Sequence, residues 1–274
     1  MRLEDGAEVE SVLYRGDTLC VSSQVGCGVR CPFCASGAHG VLRNLAAEEL
    51  HAQHALVSAR LAEEGAPPIV RLTVSGSGEP LHNDDAVRAF VAACHPRTPV
   101  SLTTSGAPLV RLARWIAPPP EGPFHNGLTV SVHAGTEATR ARLVPKGPAL
   151  EPLFALLARE VPRTSARRRK KLALAYLCLE GVNDGDDEID AFVARARPLG
   201  LAVHLYAHNE VPGSTLRGVD RARYEAIYAR MTAAGLRVRM SSRARLEANG
   251  GCGTLVALRA PSARSTRARR GSTG

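Results

Sequence analysis

Residues 20–44 read CVSSQVGCGVRCPFCASGAHGVLRN, and within them Cys27, Cys31 and Cys34 stand in the spacing C-x3-C-x2-C. Three thiolates on one short loop can ligate three corners of a four-iron cluster, leaving the fourth iron open to a ligand that is not protein. Structural zinc sites and ordinary ferredoxins take four protein ligands. A set of three, placed early and beside a strand-like segment, therefore points to a catalytic cluster. The alternatives are a zinc knuckle completed by a histidine such as His39, or three buried thiols. Gly26, Gly28 and Pro32 favour the cluster, because they shape a tight ligand loop.

Outward from that loop, strand-like and helix-like segments alternate. Strands are predicted over residues 19–23, 69–75, 100–104, 128–132, 172–179 and 201–206, with one more over 237–240. Helices are predicted over residues 46–64, 84–94, 108–116, 137–143, 152–160, 187–197 and 219–234, from 3.6-residue periodicity and from stops at Pro198 and Gly235. Six strand–helix units in series call for a parallel sheet with right-handed crossovers. Six are too few to close a (β/α)8 barrel, so the expected fold is α/β, an open partial (β/α)6 barrel. In such sheets the site lies at the carboxyl ends of the strands. There fall the cysteine loop, SGSGEP after the second strand, TTSG after the third, SVHAG on the fourth and YAHNEVPG after the sixth.

At 274 residues, 45% hydrophobic and 22% charged, the chain has the composition of a soluble globular domain. No apolar run approaches the roughly 20 residues that span a bilayer, and the acidic start MRLEDGAEVE is unlike a signal peptide. A cytoplasmic protein that does not engage a membrane is expected. Seven cysteines in that setting suggest metal or redox chemistry rather than a disulfide framework. The net charge is +9, of which the last sixteen residues, RAPSARSTRARRGSTG, supply five arginines and no acid. That tail, residues 259–274, is expected to be disordered beside a core of residues 1–258. The run RRRKK at residues 167–171 reads as a solvated loop before a strand, with nucleic-acid contact as the alternative.

An open iron faced by glycine-rich strand ends suits a ligand carrying an amino group, a carboxylate and a ribose. Gly76 and Gly78 let backbone approach such a ligand, and the Glu79 carboxylate can accept from an ammonium. A lone GxGEP is otherwise only a tight turn. Beside the cysteine loop it becomes a candidate S-adenosylmethionine site of the kind radical enzymes use. LEDGAEVESVL, CVSSQVGCGVRCPFC, RNL, GSGEPL, TTSG, SVHA, LVP, GVND, HNEVPGS and GCG follow one another from Leu3 to Leu255. In that order they resemble the RlmN/Cfr family, the radical adenosylmethionine methyltransferases of adenine in ribosomal and transfer RNA.

The resemblance implies that Cys27, Cys31 and Cys34 hold a 4Fe-4S cluster. It implies that Gly78, Glu79, Thr103, Ser131, Val132, His133 and Asn209 contact S-adenosyl-L-methionine. Cys252 matches a cysteine that is itself methylated, Cys20 one that resolves a covalent product adduct, and Glu10 a proton acceptor. The chemistry is coherent. An sp2 ring carbon of the adenine C2 type is too poor a nucleophile to take a methyl from a sulfonium, whereas a thiolate can. A base must remove the ring proton, and a second thiolate must release the product, leaving a Cys20–Cys252 disulfide. Cys94 and Cys178 read instead as small buried hydrophobes, and His133 equally as a packing or hydrogen-bonding residue. RNA is the implied partner, with an electron donor such as flavodoxin or ferredoxin, and a monomer is expected. Relatives carry a helical RNA-binding domain ahead of the barrel, which this chain is expected to lack. A nucleotide, a small heteroaromatic metabolite or a peptide is the alternative substrate, and a non-catalytic iron–sulfur RNA-binding paralogue the alternative class.

Overall fold

The computed structural model describes residues 1–118, 122, 124–209, 211 and 214–241. Cys252, the tail at 259–274 and the pairing of Cys252 with Cys20 therefore lie outside the described residues. In chain order the elements begin with β1 (Val12–Tyr14), β2 (Thr18–Val21), β3 (Gln24–Gly26), β4 (Val41–Asn44), α1 (Ala47–Glu63), β5 (Arg71–Val74) and α2 (Asp84–Cys94). Then come β6 (Val100–Thr104), α3 (Leu109–Ile116), β7 (Gly127–Ser131), α4 (Glu137–Leu143), α5 (Leu150–Glu160), α6 (Ala166–Arg169) and β8 (Leu172–Cys178). The last are α7 (Asp186–Ala196), β9 (Ala202–Ala207), α8 (Arg221–Ala233) and β10 (Arg237–Met240).

Eight strands form one sheet in the order β1-β2-β5-β6-β7-β8-β9-β10, and β3 pairs with β4 in a separate ribbon. From β2 to β10 every pairing is parallel, while β1 adds an antiparallel edge to β2. The order ends at β1 on one side and β10 on the other, so the expected partial barrel is found, open, with the expected further strand β10 at one rim and an added antiparallel strand, β1, at the other. Strand β8 shows how the sequence sets its two faces. All seven residues of LALAYLC are buried. Leu172, Leu174, Tyr176 and Cys178 join the main core under the helices. Ala173 lines the lumen, and Leu177 meets a second apolar cluster at the carboxyl end.

Besides the short, unexpected strands β1, β3 and β4, two segments differ from the sequence expectation. The first predicted strand stops at Val21 rather than at residue 23. There Gln53 of α1 takes over the backbone of Ser22, accepting from its N–H at 2.8 Å and donating to its carbonyl at 3.0 Å. A side chain that satisfies both groups replaces a strand neighbour. The RRRKK run, expected as a loop, opens with the single-turn α6, whose first turn is capped by Ser165 Oγ accepting from Arg168 N at 3.2 Å. No described helix is long and apolar enough to cross a membrane.

Candidate active site at the carboxyl ends of the strands

The cysteine loop is the tip of the β3–β4 ribbon. Gln24 pairs with Asn44, Val25 with Arg43 and Gly26 with Val41, the register slipping at Val25/Gly26. Cys27 N donates to Gly40 O at 2.9 Å, which closes the loop at its neck. Gly26 holds φ +77°, and a Cβ there would lie 2.0 Å from Gly40 O, so only glycine fits. Within the loop Cys34 N donates to Cys31 O at 3.1 Å, and Gly37 N to Cys34 O at 3.3 Å. Cys27, Cys31 and Phe33 pack on Val29, Leu143, Val144, Leu177 and Leu179. The ribbon is thereby seated on the barrel's open end.

The three thiols act on one another. Burial pushes Cys27 up to about 12, and the Cys34 and Glu79 charges push the same way. Burial likewise pushes Cys31 well above the usual thiol range, followed by the charges of Cys34 and Cys27, while Arg140 opposes them. Among the described residues no trio of His, Cys, Asp or Glu side chains closes tightly enough to grip a metal ion. The donor chemistry nevertheless fits an iron–sulfur cluster. Three half-buried thiols come from one wound loop, and burial with the neighbouring charges disfavours thiolate at Cys27 and Cys31, which is what a cationic centre would relieve.

The GSGEP loop lies across the start of that ribbon. Ser77 O accepts from Ser23 N at 2.8 Å and from Gln24 N at 3.1 Å, and Glu79 N donates to Gln24 Oε1 at 2.8 Å. A Cβ on Gly78 would sit 2.6 Å from Ser23 Oγ and 2.8 Å from the Gln24 side chain, so the loop backbone lies directly against those two side chains. Glu79 is 3% exposed. Its carboxylate accepts from Thr104 Oγ1, from Ser105 N at 2.7 Å and from Leu81 N at 3.1 Å, tying the exits of β5 and β6 together. Thr103 faces the lumen, a cavity of about 450 Å³ that Thr73 and Thr129 also line. Asn209 follows β9 and is half-buried.

Ser131, Val132 and His133 are organised by a residue that the sequence reading missed. Arg140 of α4 is 1% exposed. Its guanidinium donates to Ser131 O at 2.7 Å, Val132 O at 2.9 Å, Ser105 O at 2.8 Å and Pro148 O at 3.0 Å. Burial brings it down to about 10, with the Cys31, Glu137 and Glu79 charges opposing, so it stays charged at neutral pH. One planar fork thus fixes the carboxyl ends of β6 and β7. His133 adopts φ +58° and is 6% exposed. Its Nδ1 accepts from Leu177 N at 3.0 Å, which puts the ring proton on Nε2, and its ring meets Phe33 of the cysteine loop edge-on at 5.1 Å. Burial, then the Arg140 charge, lowers it to about 3. Asn183, from GVND, completes the frame by donating to His133 O at 2.8 Å and Leu177 O at 2.6 Å while accepting from Leu179 N at 2.8 Å. The only sequence signals for Arg140 and Asn183 are their places close behind SVHA and inside GVND.

Cys20 and Glu10 lie at the β1–β2 edge. Val12 pairs with Cys20, and two residues further along Ser22 Oγ donates to Glu10 O at 2.7 Å. The antiparallel register therefore puts Glu10 and Cys20 on one face of the edge. Thr18, two residues before Cys20, lines the lumen, and so Cys20 stands on the lumen side. Its Sγ lies 3.2 Å from Ser75 Oγ, which also accepts from Thr73 Oγ1 at 3.2 Å. Both Cys20 and Glu10 are buried, while Cys94 and Cys178 sit in the main core as expected.

No protein-family model matches the chain. A probable RNA methyltransferase of Aromatoleum aromaticum is 31% identical over 258 residues, covering 94% of this chain and 70% of that protein. The dual-specificity RNA methyltransferase RlmN of Paracoccus denitrificans is 35% identical over 249 residues, covering 82% of this chain and 61% of that protein. A radical SAM methyltransferase from Sphaerobacter thermophilus superposes with a TM-score of 0.79 at 29% identity, over 92% of this chain and 75% of that one. Likeness sustained over almost the whole chain, on an open barrel whose cysteine loop, GSGEP turn and SVHA turn meet at one end, leads to one assignment. The chain is a methyltransferase of the RlmN/Cfr family of radical S-adenosylmethionine RNA methyltransferases.

Proposed function

We propose that this enzyme methylates an sp2 carbon of adenine in RNA by way of a methylated cysteine, Cys252, and releases its product through Cys20. The observation that carries the reading is the placement of Cys20. It is on the lumen face of the first parallel strand, one short turn from the ribbon that bears Cys27, Cys31 and Cys34, and it shares a face with Glu10. A resolving thiol and a base are needed side by side at that edge. When bound by Cys27, Cys31 and Cys34 and by the Gly78–Glu79, Thr103, Ser131–His133 and Asn209 surfaces, the cluster and S-adenosylmethionine supply the methyl group and the radical that removes hydrogen from it.

The chain's own residues do the rest. The Cys252 thiolate attacks the methyl carbon: its C–S bond forms, the sulfonium C–S bond breaks, and a thioether remains. Once that carbon is joined to the ring, Glu10 accepts the ring proton, and aromaticity returns when the adduct's one unpaired electron passes to a one-electron acceptor, a role the oxidised cluster would fill when bound. The Cys20 thiolate then attacks the Cys252 sulfur, the S–C bond to the product breaks, and its electron pair leaves with the methylated base after protonation. The two sulfurs end as a disulfide, to be reduced by an external dithiol or electron donor before the next turnover.

Anaerobic reconstitution followed by mass spectrometry tests this directly. An S-methyl group is expected on Cys252 of the wild type, and Cys20→Ala is expected to accumulate RNA covalently joined to protein. A wild type with unmodified Cys252 after turnover, or a Cys20→Ala enzyme that releases product at the normal rate, would overturn the reading.

A further inference from the structure

The opposite, amino-terminal mouth of the barrel is ringed by cations. The lumen opens there between Arg15, Arg71, Lys170, Lys171, Arg237 and Arg239. A neighbouring cavity of about 430 Å³ is lined by His95, Phe124, His125, Arg167 and Arg168, and it shares Asn126 and Lys171 with the lumen. The two form one continuous groove carrying eight arginines and lysines. Among the described residues only Arg71 of the eight is ion-paired, with Asp17 at 2.9 Å. Cations gathered without counter-charges repel one another, and an anionic partner relieves that repulsion.

The groove is more than a charged rim. Phe124 is 45% exposed, and the Arg168 guanidinium lies over its ring at 5.3 Å, which presents a flat aromatic face backed by a cation. In the same cavity Arg168 Nη1 and His125 Nδ1 are buried without a hydrogen-bond partner, and His125 is 4% exposed. Its other nitrogen, Nε2, is 2.9 Å from Trp115 O. His125 Nε2 donates to that carbonyl, so its Nδ1 is left as an acceptor, and the cationic donors interleaved with an aromatic plane along one groove match a chain of phosphates and bases, whereas a compact free anion needs no stacking surface.

We infer that this mouth grips a single-stranded RNA segment flanking the target nucleotide. Phosphates run along Arg167, Arg168, Lys170 and Lys171 toward Arg237 and Arg239, and one base stacks on Phe124. The inference rests on the RNA reading above and adds a second contact surface to it. Strands of about six residues separate the two ends by roughly 20 Å, a span that a folded RNA bridges easily.

Two double variants on separate elements test it: Arg167→Gln/Lys170→Gln and Arg237→Gln/Arg239→Gln, with Phe124→Ala as a third arm. Binding of bulk tRNA and of a 20-nucleotide single-stranded oligonucleotide is measured across salt concentrations, with thermal melts confirming folding. Each double variant is expected to weaken binding about ten-fold and to flatten the log K against log salt slope by about 1.4. Phe124→Ala is expected to weaken binding about ten-fold with the slope unmoved. Tight wild-type binding that all three variants keep would overturn the inference and leave the RNA reading standing. Binding of inorganic phosphate or AMP at the groove, with no wild-type affinity for either RNA, would overturn both.

Discussion

The two ends of this barrel hold their charges in opposite ways. At the carboxyl end, Arg140 spends its guanidinium on four backbone carbonyls, and Glu79 its carboxylate on a hydroxyl and two backbone amides. At the amino end, Arg15, Lys170 and Arg239 stay exposed on the rim, and the exposed Arg237 gives a single bond, to Gly200 O at 2.6 Å. The contrast separates preorganisation from recruitment. A site that must hold a small cofactor within tenths of an ångström fixes its polar groups beforehand with internal hydrogen bonds. A surface that meets a long flexible polyanion does better with charges left free to adjust.

The sharpest way to break that contrast is a matched pair of glycines. Gly26 in the ribbon and Gly16 in the β1–β2 turn have nearly the same backbone, φ +77° and +72°. An alanine at either carries the left-handed strain of about 1 kcal/mol. Only at Gly26 does the new Cβ also strike backbone, 2.0 Å from Gly40 O, whereas at Gly16 nothing lies within 4 Å. Gly26→Ala is therefore expected to cut iron retained after anaerobic reconstitution more than ten-fold. Gly16→Ala should leave it unchanged and lower the melting temperature by a few degrees. Equal iron content in the two variants would mean that the ribbon neck does not set the cysteine loop.

The next effect in size is Arg140→Met, which strands three buried carbonyls at the β6 and β7 exits. A loss of about 4 kcal/mol in unfolding free energy is expected from denaturant titration, with Arg140→Lys recovering part of it. Arg239→Gln at the other end should change stability by no more than about 0.5 kcal/mol. Comparable losses would show that the two ends are built alike.

Much of the fold and part of the site were legible in the sequence, and the division has a physical cause. Strands such as Leu172–Cys178 declare themselves through apolar runs, and the loops through Gly, Ser and Cys punctuation at each strand exit. Both are local signals. The three-residue strands β1 and β3 are too short to announce themselves: β1 is just Val-Leu-Tyr, and β3 is Gln-Val-Gly, paired only because β4 returns to it across the cysteine loop. Arg140 reads as one more charged residue of a helix, TRARL, and nothing nearby announces that it is buried. Its role depends on where three other segments end. The RRRKK run reads as solvated for the same reason, because His95, Phe124 and His125, which give it a pocket, lie far off in the sequence. Local order was readable; the polar framework that links segments was not.

Acid should find both ends at once, since each buries a neutral histidine. Burial holds His133 at about 3 and His125 at about 4, both below the ordinary 6.5. The unfolded chain therefore takes up protons between pH 6.5 and those values while the folded chain does not. Their contribution is complete above pH 6.5 and is lost as pH falls toward 4 and then 3. For His125 the loss amounts to about 3 kcal/mol by pH 4. Unfolding midpoints measured from pH 7 to 4 should fall, and His125→Asn should flatten that fall while lowering the neutral-pH value. A parallel shift at all pH values would show that burial does not lower His125 in the folded protein.

The smallest expected effect probes how finely the carboxyl end is tuned. Ser75 Oγ lies 3.2 Å from Cys20 Sγ and also accepts from Thr73 Oγ1. Either atom can donate in that contact, and where the Ser75 hydroxyl donates to the sulfur it favours thiolate over thiol. Removing one such bond is worth about 1 kcal/mol or less, because sulfur is a weak acceptor. In the proposed mechanism, with Cys20 as the resolving thiol, Ser75→Ala should accordingly slow release of the covalent intermediate by about three- to five-fold in single-turnover measurements, and raising the pH by about half a unit should restore much of the rate. A slowing that higher pH does not relieve would assign Ser75 to packing the lumen wall, and a Cys20 rate indifferent to Ser75 would leave the resolving thiol activated by other neighbours at the β1–β2 edge.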